Sequence, residues 1–216
     1  KLRFLGDGIL CSDHSTIAVQ SERSEAALDL ICKWLLNEAG RSWDAIHFEA
    51  IDHDDEMVNR LIRRLDESSC DVHQRDAVGT WVVDLPSSWD AYLATLSKNH
   101  RKRCRRWQRT YFDSERARVV CRSPEECEQG WETIDRLNRQ RREQIGDRSA
   151  FTDPRFHAFH LAVLPELLRK GDAELRELLV DGNCVAAEYV LHHEETIFCY
   201  QSGMATSSSR DGYGNL

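Results

Sequence analysis

The chain has 216 residues, enough for one large domain or two small ones and for a real buried core. It carries 37 Asp and Glu against 29 Lys and Arg, a formal net charge of −8, so its surface as a whole does not attract nucleic acid or an anionic membrane. No apolar run approaches the roughly 20 residues that span a bilayer, and no basic–apolar–small leader opens the chain, which excludes a membrane span and a signal segment from this reading.

Eight cysteines are scattered between Cys11 and Cys199, none as C-x-x-C. The closest pair, Cys121 and Cys127, has five residues between its members. Several lie inside apolar patterns, as small buried hydrophobes do. The expectation is eight free thiols in a cytoplasmic protein, with no disulfide and no metal site. The chain opens on Lys1 rather than Met, so its native start is expected upstream.

In chain order, Ser21–Ala39 predicts a helix, with Ala26, Ala27, Leu30, Ile31, Trp34 and Leu35 at helical spacing and Gly40 as a stop. Ala45–Ala50 predicts a short strand. Asp54–Glu67 predicts a second helix, with Met57, Leu61, Ile62 and Leu65 on one face. Ser69–Asp76 and Thr80–Leu85 predict strands that meet at a Val-Gly turn. After Pro86-Ser87-Ser88, one long helix is expected from Trp89 to Phe112, its apolar stripe running from Trp89 through Leu93 and Trp107 to Tyr111. The lobe boundary falls at this helix, giving lobes 1–88 and 89–216.

The second lobe is sharper. Arg116–Cys121 predicts a strand. Ser123-Pro124-Glu125-Glu126 is a helix start, with Ser as N-cap, Pro at the first position and Glu three residues on. That helix is expected to run to Ile145. Asp153-Pro154 starts another, which ends at Lys170-Gly171 and is bent by Pro165. Three strands follow: Glu174–Val180, Cys184–His192 and Thr196–Ser202, joined by Asp181-Gly182-Asn183 and His193-Glu194-Glu195. A loop of small residues begins at Ala205. The whole predicts an α/β fold with a mixed sheet and helices on both sides.

Strand, two helices, a three-strand meander and then Ser209-Arg210-Asp211-Gly212-Tyr213-Gly214 resemble the first half of a GNAT acyltransferase domain. In that fold the loop reads Q/R-x-x-G-x-G/A; here Ser209 stands at the Gln/Arg position. Short motifs resemble the CelD-type cellulose-biosynthesis acetyltransferases, a GNAT branch built like the FemAB proteins from two GNAT-like lobes. They are Trp89-Asp90-Ala91-Tyr92, Leu96 to Lys102, Leu137 with Arg141, Gly146 to Phe151, Leu179 to Ala187 and Tyr200-Gln201-Ser202-Gly203. The segment from Gly6 to Asp13 is also similar to that family's entry segment. The resemblance implies two tandem GNAT-like lobes, with the second completed by residues beyond Leu216. It implies acyl-CoA, most simply acetyl-CoA, as co-substrate, and a sugar or polysaccharide precursor as acceptor. A FemAB-like aminoacyl-tRNA-dependent transferase and a non-catalytic GNAT-shaped binding module are the alternatives.

Acyl transfer needs a positioned nucleophile, a base for its proton and donors for the developing oxyanion. Backbone around Tyr200, Gln201, Ser202 and Gly203 is the candidate for the carbonyl. Ser209, Arg210, Gly212 and Gly214 are candidates for the pyrophosphate, since glycines admit close backbone approach. Glu188, a carboxylate in the apolar run Cys184–Leu191, is the candidate base; a solvent-facing residue on an alternating strand reads equally from the same pattern. Tyr200 is the candidate acid, or a sheet-face tyrosine. From Lys98 to Arg118 there are nine Lys or Arg against Asp113 and Glu115. That stripe is either a solvated helix face or an acceptor site in which Lys98, Arg101 and Arg105 share a face, with Arg141 added from the resemblance. Nucleic acid is a partner only in the tRNA reading; the oligomeric state is not encoded in these patterns.

Overall fold

The computed structural model describes residues 1–38, 42–68, 70–76 and 79–205. The chain divides into two compact units, Lys1–Val82 and Val83–Leu216.

In the first unit two helices carry the core. Helix α1 (Ser24–Lys33) continues into a π-helical turn, Trp34–Glu38. Helix α2 (Glu56–Glu67) is capped by Asp55, whose carboxylate accepts from the Val58 N–H at 2.7 Å. Leu28 and Leu35 from the first segment meet Leu61 and Leu65 from α2, and Leu2, Ile17, Trp43, Ile46 and Phe48 pack around them. Of the expected stripe Leu35 is buried and Ile31 packs against the core, whereas Leu30 and Trp34 are exposed, and Leu28 is the buried residue the spacing did not single out. On the outer side Arg60 and Arg64 of α2 pair with Glu25 and Asp29 of α1.

The strands expected over 45–50, 69–76 and 80–85 are not formed among the described residues. A single parallel bridge joins Leu2 to Ile46. Trp81, Val82 and Leu85 are exposed. Apolar and β-branched residues raise strand propensity, but a strand exists only where another strand pairs with it.

The second unit opens with the segment expected as one helix, and it is broken. Helix α3 (Trp89–Thr95) stops at Leu96, whose ψ of 153° is extended. Ser97 then caps helix α4 (Lys98–Trp107), accepting from the His100 N–H, and a π-helical turn follows at Gln108–Phe112. The serine hydroxyl offers the backbone a cap in place of a continued helix. Trp89 Nε1 donates to Gln108 Oε1 at 3.0 Å, folding α3 back along α4.

Strand β1 (Ala117–Cys121) leads to Ser123 and Glu126, which form a reciprocal capping box at the start of helix α5 (Cys127–Gln144). Helix α6 (Pro154–Lys170) begins at the Asp153 cap and ends on Gly171, at φ 77°. Strands β2 (Ala173–Val180), β3 (Asn183–His193) and β4 (Thr196–Met204) complete a sheet of order β1-β2-β3-β4. Helix and strand mix as the α/β reading expects, and every pairing in this sheet is antiparallel.

The two faces are covered differently. Leu178 and Val180 of β2 and Ala117 of β1 pack under Tyr111, Trp107 and Phe112. The opposite face, with Leu175, Ala187 and Tyr189, packs under α5 and α6 around the fully buried Trp131. Arg122 reaches this second face and donates to both oxygens of buried Glu177, at 3.0 and 2.6 Å.

Candidate functional site

Strand β4 has a neighbour on one side only among the described residues, and helix α5 is pressed against it. Gly203 makes that approach possible. A Cβ there would lie 2.5 Å from the Asn138 backbone nitrogen and 2.7 Å from the Leu137 carbonyl carbon, and neither can move aside. Beside it, Asn138 Nδ2 donates to the Ser202 carbonyl at 2.7 Å, and Ser149 Oγ donates to Asn138 Oδ1 at 2.7 Å. This buried relay ties the segment after α5 to the edge strand through the helix.

Two residues earlier the ladder slips. Tyr189 pairs with Gln201, but Val190 pairs with Cys199, so Tyr200 is the extra residue of a bulge in β4. A bulge bends the strand and re-aims its side chain. Tyr200 turns toward α6, where its hydroxyl lies 3.1 Å from Nε2 of His160. Its ring sits edge-on to Tyr189, with centroids 5.2 Å apart.

His160 is 3% exposed and is ringed by Trp131, Phe156, Phe159 and Tyr189. Burial pulls its pKa down to about 4, so it is neutral at pH 7. Its Nδ1 is buried without a hydrogen-bond partner. The same burial pushes the Tyr189 hydroxyl up to about 12.

The sequence-predicted residues are distributed as follows. Tyr200, Gln201, Ser202 and Gly203 all lie in β4 at the edge. Glu188 is exposed rather than desolvated, in a cross-strand row with Arg176 and Ser202. Strand alternation puts it on the face opposite Tyr189 and Tyr200, so the candidate acid and base flank the sheet rather than share a pocket. Lys98 and Arg105 are exposed on α4; Arg105 lies 3.9 Å from Asp90, and Arg101, half-buried, donates to the Leu96 carbonyl. Arg141, at the end of α5, donates to Gln144 Oε1 at 2.9 Å. Ser209, Arg210, Gly212 and Gly214 lie outside the described residues.

Sequence reasoning missed His160. The available signal was its place at i+4 between Phe156 and Leu164 on the apolar stripe of α6, a pattern that otherwise reads as core packing.

These features define an α/β domain whose antiparallel sheet ends on a bulged, helix-backed edge strand. A family model described as acetyltransferase (GNAT) domain matches residues 98–216, more than half of the chain, which covers α4, all four strands and the segment beyond them. The chain belongs to this GNAT acetyltransferase family, whose chemistry is acyl transfer. No curated protein and no solved structure matches it.

Among the described residues no group of His, Cys, Asp and Glu is placed to hold a metal ion, and no helix is long and apolar enough to cross a membrane.

Proposed function

We propose that the chain is a cytoplasmic enzyme that moves an acyl group, most simply acetyl, from acyl-CoA to an amine or hydroxyl of a sugar or polysaccharide precursor, in the manner of the CelD-type branch with its two GNAT-like lobes, 1–88 and 89–216. The observation that carries the reading is the edge of β4: a bulged strand, unpaired on its outer side among the described residues, followed in sequence by Ser209-Arg210-Asp211-Gly212-Tyr213-Gly214. Backbone N–H groups at Gln201, Ser202 and Gly203 would steady the thioester carbonyl, and the glycines with Ser209 and Arg210 would take the pyrophosphate.

At a sheet edge the two substrates can arrive over opposite faces. Tyr200 on one face is the candidate acid for the departing thiolate. Glu188 on the other, one strand in, is the candidate base for the nucleophile. The exposed cations Lys98 and Arg105, with Arg101 and Arg141, are the candidate groups for an anionic acceptor.

Calorimetry of the chain with acetyl-CoA, longer acyl-CoAs and tRNA, followed by thiol release in the presence of amino-sugar and polysaccharide acceptors, tests this reading. Saturable acyl-CoA binding and acceptor-dependent CoA release are expected. Gly214→Val should weaken acyl-CoA binding by about 1–3 kcal/mol, the scale of one or two charge-assisted hydrogen bonds, with the melting temperature unchanged. Binding of tRNA in place of acyl-CoA would turn the reading toward the aminoacyl-tRNA donor. Binding of neither would leave a GNAT-shaped module without catalysis.

A further inference from the structure

Besides Arg122–Glu177 and Asn138–Ser202, the α5–α6 face of the sheet carries a polar pair that joins α6 to β4 inside a cluster of aromatic rings. Phe156, His160 and Leu164 occupy successive turns of one buried stripe of α6. A leucine or phenylalanine at position 160 would continue that stripe without leaving a polar atom stranded. Histidine instead brings Nε2 to 3.1 Å from the Tyr200 hydroxyl and leaves Nδ1 buried with no partner. A buried unpaired polar atom is costly, so packing alone does not account for the residue.

We infer that His160 is the positioning residue for Tyr200: its Nε2–H donates to the tyrosine oxygen and stabilises the phenolate formed when Tyr200 gives up its proton. The inference rests on the acyl-transfer reading above, and deepens it. The protonation state follows from the surroundings. With its pKa pulled down to about 4, the ring carries one N–H at pH 7. The Nδ1–H tautomer would bury an unpaired donor, whereas the Nε2–H tautomer buries an unpaired acceptor, the more easily tolerated of the two. The Nε2–H tautomer also leaves the Tyr200 hydroxyl proton directed away from His160.

The step balances. As the thioester C–S bond breaks, its electron pair goes to sulfur, and the Tyr200 O–H proton passes to that sulfur to give the CoA thiol. The phenolate oxygen keeps the hydrogen bond from His160 until it recovers a proton from solvent, while the acceptor's own proton leaves through the base. A phenol is ordinarily a weaker acid than a thiol; a fixed N–H donor on the phenolate narrows that gap.

The titratable groups facing the pair are few. Tyr189 comes from β3 and ionises only near pH 12. Cys127, on α5 beside Tyr189, has its thiol pushed up by burial. His157, one turn back on α6, accepts from Trp131 Nε1 at 2.9 Å.

The test uses the full chain carrying tyrosine labelled with 13C at Cζ, with the Tyr200 signal assigned by its loss in Tyr200→Phe. In the parent, Tyr200 should titrate about one pH unit or more below its value in His160→Phe. For acyl transfer, His160→Phe should lower kcat by about tenfold or more, leave KM for acyl-CoA unchanged and move the alkaline limb of the kcat–pH profile upward. His160→Gln, which keeps an N–H donor, should restore part of both effects. His160→Phe combined with Tyr200→Phe should be no slower than Tyr200→Phe alone.

An unchanged Tyr200 titration in a folded His160→Phe protein overturns the hydrogen bond. Additive losses in the double variant, or equal losses in His160→Phe and His160→Gln that follow their melting temperatures, overturn the positioning role. Full activity of Tyr200→Phe overturns the acid assignment while the titration still reports the pair. Absence of acyl transfer by the parent overturns the reading on which the inference stands.

Discussion

The two units of this chain reach their folds by different routes. The first unit buries Leu28, Leu35, Leu61 and Leu65 between two helical segments, with loop residues filling in around them. The second builds a sheet in which β2, β3 and β4 are joined by two-residue turns while β1 reaches β2 only after α5 and α6, and it covers both faces with helices. Strand-like stretches occur in both sequences. Among the described residues they become strands only in the second, where β2, β3 and β4 each meet a partner one short turn away and β1 joins β2 after α5 and α6. Pairing that is local in sequence costs little chain entropy, and Ala45–Ala50 has no such neighbour, while the hairpin expected of Ser69–Asp76 and Thr80–Leu85 is not formed among the described residues despite its short expected turn.

The comparison predicts where a single substitution does most damage. Trp131 is fully buried and touches Phe151, Phe156, His157, His160 and Tyr189. Trp131→Ala should cost about 4 kcal/mol in denaturant unfolding followed by second-unit signals. A loss under about 1 kcal/mol would break the claim that α5 and α6 are clamped to the sheet through this side chain.

A pH dependence should belong to the second unit as well. His160 has a folded-state pKa of about 4 against an ordinary 6.5. Between those values the unfolded chain binds a proton that the folded chain refuses, so stability falls as pH is lowered from 6.5 to 4. The loss is on the order of 3 kcal/mol. His160→Gln should remove that slope in unfolding measured across pH 4–7. The carboxylates of Asp147, Asp153 and Asp181, held below their usual range by hydrogen bonds with the N–H of Arg148, with Arg155 and with Arg116 respectively, add a dependence of the same sign at still lower pH. A slope unchanged by His160→Gln would place the dependence in other groups.

Leu61, 1% exposed, is the corresponding test in the first unit. Leu61→Ala should cost about 2.5 kcal/mol, less than Trp131→Ala because fewer atoms are removed. Amide hydrogen exchange should show the loss in α1 and α2. Equal losses of protection in the strands of the second unit would show that the two units unfold together.

The smallest effect is expected on the surface of the first unit. Arg60 reaches Glu25, whose side chain is 70% exposed. Arg60→Ala should therefore change stability by less than about 1 kcal/mol, and added salt should shrink the difference further. A larger loss would make this ion-pair network, rather than the leucine core, the main tie between α1 and α2.

Much of the second unit was legible in the residue order. Ser123 with Glu126, Asp153 with Pro154, and Lys170 with Gly171 each carry the physics of a helix end in their own side chains or backbone freedom. The turns at Asp181-Gly182 and Glu194-Glu195 likewise mark where the meander folds. The break at Ser97 was also local, but it hides inside a stripe of apolar residues that runs through Leu96 at helical spacing, so the cap loses to the periodicity on paper. The exposure of Glu188 was harder to read. Alternation allows either face, and the apolar residues around it belong in part to the bulge that shifts the register.

What the sequence determined alone is therefore what depends on neighbours a few residues apart: helix ends, hairpin turns, the order of strands in the second unit, and the motifs by which the family is recognised. The tertiary structure decided what depends on residues far apart meeting. Among the described residues of the first unit it left only an isolated bridge, Leu2 to Ile46, where strands were expected. It made Gly203 necessary through the approach of α5, placed Glu188 and Tyr200 on opposite faces of the sheet, and set His160 against Tyr200 across 40 residues of chain. Burial and hydrogen-bond partners are properties of the packed molecule, and it is they, rather than residue type, that turn a histidine on a helix stripe into a group beside a candidate acid.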